Sequence, residues 1–96
     1  MSGPWAYIVI FSGVTVPEFT AIIDKHDQDI LNWLTVLPHT VFIVSAMTAA
    51  DLTTFLRRHV PRIERILVLD ANTDRNGWLP ENAWDFLSHP SPPKYK

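Results

Sequence analysis

The apolar positions of this chain fall into short blocks, and their spacing switches between that of strands and that of helices. Trp5 to Phe11 (WAYIVIF) is apolar at odd and even positions and rich in aromatic and β-branched residues. That pattern predicts a strand covered on both faces. Ser12-Gly13 ends it. Thr15 to Glu18 (TVPE) has the form of a capping box, with Pro17 in the first turn, where its missing amide costs nothing. The spacing predicts a helix over 16–28, with Phe19, Ile22, Ile23 and His26 inward and Glu18, Asp24, Lys25 and Asp27 toward water.

Residues 30–37 (ILNWLTVL) and 40–46 (TVFIVSA) read as two strands joined by a turn at Pro38-His39, an antiparallel hairpin. Thr48 to Asp51 (TAAD) opens a second capped helix with Leu52, Phe55, Leu56 and Val60 as its buried stripe. Arg57, Arg58 and His59 fall in its last turn, where positive charge offsets the helix dipole, and Pro61 stops it. Residues 66–69 give a fourth strand. Asn76-Gly77 signals a turn, and Pro80 opens a short last helix with Ala83, Trp84, Phe86 and Leu87 on its apolar side.

The predicted order is strand, helix, strand, strand, helix, strand, then a short helix. Right-handed crossovers place both long helices on one face of a four-stranded antiparallel sheet. The fold class expected is α+β, in the ferredoxin-like βαββαβ arrangement with a short C-terminal helix. One domain spans 5–89, behind an N-terminal lead (1–4) and ahead of a proline-rich tail (90–96) expected to be disordered. The second sheet face is also apolar. The last helix covers part of it in this reading, and a second copy of the chain covers the rest, so a two-fold homodimer is expected.

Composition narrows the function classes. The chain has 96 residues, 47% of them apolar, a formal net charge of −2 and eight Lys and Arg. That balance gives no electrostatic footprint for non-specific nucleic-acid binding. The absence of cysteine excludes disulfides, thiolate metal sites and cysteine nucleophiles. The first residues carry no basic leader, and the first apolar run is far shorter than the ~20 residues of a membrane helix. The expectation is a cytoplasmic protein with no membrane partner.

Four constellations are candidates for chemistry. Asp70, Asn72, Asp74 and Asn76 alternate along a loop, with Glu81 further on, and alternating oxygen side chains are what Ca²⁺ coordination uses. A loop counted from Asp70 puts Glu81 twelfth but Arg75 sixth, where glycine is needed. Counted from Asn72, Gly77 fits the sixth position but Ala83 stands at the twelfth. A strand precedes the loop where an EF-hand has a helix, so turn-stabilising side chains are the preferred reading. Arg57, Arg58, Arg62 and Arg65 form a local basic cluster, a solvated helix end or a phosphate-binding edge. His26, His39, His59 and His89 show no close metal-ligand spacing. Trp5, Trp33, Trp78 and Trp84 suit core or dimer packing better than base stacking in an acidic chain.

The strand AYIVIF, the hairpin WLTVLPHTVFIVSA, the helix TAADLTTFLRRHV, the strand ILVLDA and the closing GWLPENAWDFL together resemble the CRISPR-associated protein two family and its free-standing relatives, over about residues 5–87. The resemblance implies small dimers of ferredoxin-like subunits. Nuclease-active members hold a divalent metal with an aspartate at the end of the first strand. Ser12 takes that position here, and serine lacks the anionic oxygen that Mg²⁺ favours. The expected function is therefore a non-catalytic, homodimeric module for protein interaction or regulation, with no cofactor. One alternative is a nucleic-acid-binding protein or metal-dependent nuclease using Arg57, Arg58, Arg62 and Arg65 on phosphates and Asp70 and Asp74 on Mg²⁺. The other is a Ca²⁺-responsive module built on the 70–81 loop.

Overall fold

The first of the described strands in chain order is one of the two inner strands of the sheet. β1 (Trp5–Ser12) pairs antiparallel on one side with β3 (Thr40–Ser45) and on the other with β4 (Arg65–Asp70), while β2 (Asn32–Leu34) pairs with β3, giving the order β2-β3-β1-β4. Three helices complete the chain: α1 (Val16–Ile23), α2 (Ala49–His59) and α3 (Glu81–Ser88). This computed structural model describes residues 4–72 and 74–90. The predicted lead (1–4) and tail (90–96) lie outside these residues except for Pro4 and Pro90. Among the described residues no helix is long and apolar enough to cross a membrane.

Register sorts the two faces. Tyr7, Val9 and Phe11 alternate onto the same side as Val41 and Ile43 of β3, where they meet Phe19 and Ile23 of α1 and Leu52 and Leu56 of α2. Phe11 stacks on Phe19 with ring centroids 4.2 Å apart. Phe19, Ile23, Leu52 and Leu56 are wholly buried, and each contributes about 1.5–3 kcal/mol on that count. On the opposite side Ala6, Phe42 and Val44 pack against Ala83 and Leu87 of α3. The sheet therefore has helices on both faces, two on the first and one short helix on the second.

Polar groups in the first core are satisfied. The Tyr7 hydroxyl donates to the Met47 carbonyl at 2.7 Å, and Ser45 Oγ donates to the Asp29 carbonyl at 2.8 Å while accepting from the Met47 amide. Burial first, and then the Asp70 carboxylate, push the Tyr7 hydroxyl pKa above the ordinary phenol value.

Both capping boundaries fall where the sequence puts them. Thr15 Oγ1 accepts from the Glu18 amide and Glu18 Oε1 accepts from the Thr15 amide, and Thr48 Oγ1 accepts from the Asp51 amide. Other boundaries differ, chiefly in α1, β2 and β4. α1 stops at Ile23 instead of 28, because the Lys25 and His26 amides turn back onto Ile22 and Ile23 instead of continuing the ladder. β2 is three residues, not eight: Ile30 is buried in the first core, and only 32–34 match β3 in register. β4 extends beyond its apolar run at both ends, since β1 pairs with it from Arg65 to Asp70.

Candidate functional site

The site follows from what α3 leaves uncovered. Beyond the rows that α3 covers, the second face continues as Ile10 of β1 opposite Leu67 of β4, with Leu69 opposite Ile8. Leu67 is 52% exposed, and Ile10 and Leu69 are each 40% exposed. Alternation explains the choice: Ile66 and Val68 point into the first core, so their neighbours point out the other way. Leu37, in the β2–β3 turn, and Trp78, in the approach to α3, are the remaining large apolar side chains exposed among the described residues, Trp78 at 97%. Both border a groove of about 300 Å³ whose floor is Ile8 and Phe42 and whose wall is Trp84 of α3. Among the described residues, all five exposed large hydrophobic side chains thus belong to the second face or its rim, and β4 is an edge strand with no described strand on its outer side.

The basic cluster is divided by the sheet. Arg57 and Arg58 are exposed on α2, over the first face. Arg62 reaches across to Glu18, its Nη1 2.6 Å from Oε2. The Thr15 amide and hydroxyl, with the Arg62 guanidinium, hold the Glu18 carboxyl pKa below its ordinary value. Arg65 alternates with Ile66 and so shares the second face with Leu67 and Leu69. The structure therefore does not gather the four arginines into one phosphate-binding surface.

Ser12 ends β1 opposite Arg65, whereas Asp70 sits opposite Tyr7. Five residue steps of antiparallel strand separate Arg65 from Asp70, roughly 17 Å. The arginines and the acidic loop that a metal-dependent nuclease would combine thus stand at opposite ends of β4.

The 70–81 loop is held by its own turns. Asp70 Oδ1 accepts from the Asn72 amide at 2.9 Å, and Asn76 Oδ1 from the Gly77 amide at 2.7 Å. Arg75 folds back into the loop, donating to the Ala71 carbonyl and, at 3.1 Å, to Ser88 Oγ, with its guanidinium 5.9 Å from the Trp84 ring centre. Glu81 lies in the first turn of α3, and Asn72, Asp74 and Asn76 are exposed. No three His, Asp or Glu side chains converge on one point among the described residues.

Packing also makes a cluster that residue spacing does not announce. His26 and His59 come into ring contact, centroids 4.3 Å apart, with Phe55 against both. The signal was available only in part: His26 lies just past the end of α1 and His59 is the last residue of α2, but their meeting depends on how α1 and α2 lie side by side on the sheet. Comparison with known proteins gives no relative to read these sites against: no family model, no curated protein and no solved structure matches the chain.

Proposed function

We propose that this chain is a non-catalytic, homodimeric interaction or regulatory module of ferredoxin-like architecture, and that two copies associate through the second sheet face. The strand order β2-β3-β1-β4, with α1 and α2 over one face, supports the architectural part of this reading. The observation that carries the association is the segregation of Ile10, Leu37, Leu67, Leu69 and Trp78 to one side of the sheet. A monomer seldom leaves a large contiguous apolar patch in water. A two-fold axis through it buries the same side chains twice, once from each copy. Indole and aliphatic side chains at the centre, with charged groups such as Arg65 and Arg75 at the margin, form the composition expected of an interface core and its rim.

Sedimentation equilibrium at micromolar concentration tests this. The expected mass is twice the 11.0 kDa of the chain. A clean monomer up to the highest soluble concentration would remove the dimer and leave the patch to a different partner.

A further inference from the structure

We propose that His26 and His59 form a two-imidazole binding site for a first-row divalent transition metal of the Cu²⁺ and Zn²⁺ class. The two rings come from elements that meet only in the folded chain. His26 follows α1 by one turn, its backbone amide on the Ile23 carbonyl, and His59 is the last residue of α2. Their ring centres are 4.3 Å apart with planes at 51°, and Phe55 closes one side, 4.3 Å from His59 and 5.3 Å from His26. Both histidines are half-buried, and no hydrogen bond from either ring to a described residue accompanies the contact.

Two neutral imidazoles side by side each present an acceptor nitrogen. A shared cation satisfies both, and imidazole suits Cu²⁺, Zn²⁺ and Ni²⁺ well. Metal–nitrogen bonds of about 2.0–2.1 Å require neighbouring rings. Here the ring centres are 4.3 Å apart, close enough for one nitrogen of each to reach a shared ion. The field helps as well: α1 and α2 both end at this spot, and the negative ends of their dipoles favour positive charge. No third His, Asp or Glu completes the set among the described residues, so water or an exchangeable ligand fills the remaining positions. Mg²⁺ and Ca²⁺, which take oxygen ligands, are not held.

The plain competing account is that the three rings are only packing, and the test separates the two. His26→Phe and His59→Phe each keep an aromatic ring in the cluster and remove its nitrogens. With the full chain, Zn²⁺ or Cu²⁺ should raise the melting temperature by a few degrees, because the ion binds the native pairing alone. Each Phe variant should abolish the rise, and His39→Gln and His89→Gln should keep it. The spectrum of bound Cu²⁺ should show coupling to two imidazole nitrogens, falling to one in either Phe variant. No metal-dependent rise, an equal rise with Mg²⁺, or a rise that survives both Phe variants would overturn the site. The pair lies on the helix side of the sheet, opposite the proposed interface, so its outcome is independent of the dimer.

Discussion

Trp78→Ala separates folding from association because the side chain contributes to one and not the other. At 97% exposed, the indole has almost no apolar area buried within its own subunit. Removing it should change the stability of the monomer by no more than about 0.5 kcal/mol. In a two-fold interface the same side chain is covered once in each copy. A buried tryptophan hides about 150–250 Å², which at ~25 cal/mol per Å² is roughly 4–6 kcal/mol before costs. Ordering and desolvation at an interface consume much of that, and hot-spot truncations typically register about 2 kcal/mol or more. Two copies give about 4 kcal/mol per dimer, or roughly a thousandfold in Kd. Sedimentation velocity over a concentration series reads the shift directly, and a urea melt of the dilute monomer reads the control. An unchanged Kd would show that Trp78 does not reach the interface. A monomer weakened by several kcal/mol would show that Trp78 packs within its own subunit.

Other substitutions and conditions test the frame and the remaining chemistry. Gly13 has φ of +95°, and a Cβ there would press on the Arg62 carbonyl and stand 2.7 Å from the Glu64 amide nitrogen. Gly13→Ala should therefore cost about 3 kcal/mol or more in a urea melt. Gly77→Ala, whose nearest neighbour is Trp84 at 3.9 Å, should be neutral or stabilising by up to about 1 kcal/mol. Glu18 titrates below its ordinary value of 4.5 in the fold, so its contribution is present above that pH and is lost as pH falls through the lowered value. Glu18→Gln, which can still form the capping box, should flatten this acid limb of the stability–pH curve; an unchanged limb would place the linkage elsewhere. With Mg²⁺ or Mn²⁺ the protein should leave DNA and RNA intact, and cleavage that Asp70→Ala abolishes would restore a nuclease reading. Millimolar Ca²⁺ should not move the melting temperature, whereas a filled site at a hundredfold excess over Kd would add about 2.7 kcal/mol and about 10 °C or more.

What the sequence makes legible is set by how local each cause is. Thr15 and Thr48 cap their helices through neighbours three residues away, so both starts could be read from TVPE and TAAD. The apolar run 41–44 within β3 reports its position between two strands with cover on both faces. Apolarity alone misleads at 30–37, because Ile30 is buried without being a strand residue. It also falls short at Arg65 and Asp70, which are strand because β1 pairs with them. The candidate sites divide the same way. Trp78 stands out as a residue type, but its exposure depends on where α3 lies. The separation of Arg65 from Asp70, and the meeting of His26 with His59, are properties of pairing and packing across the chain.

The position of β1 has a consequence for how the chain is made. Its two neighbours, β3 and β4, are both synthesised after it, and β4 is the last of the four described strands. On a ribosome adding about 5–20 residues per second, β1 emerges with both edges open and waits several seconds for its partners. Nothing local can pair with it, since the next strand, β2, joins β3 instead. The loop-closing entropy of a distant pairing must be met before any sheet contact repays it, which slows folding relative to helical chains of the same length. A nascent chain stalled before residue 65 would expose WAYIVIF along one edge, with Leu67 and Leu69 absent. A stretch that becomes an inner strand is thus open to aggregation during synthesis, and emergence of β4 closes its remaining edge.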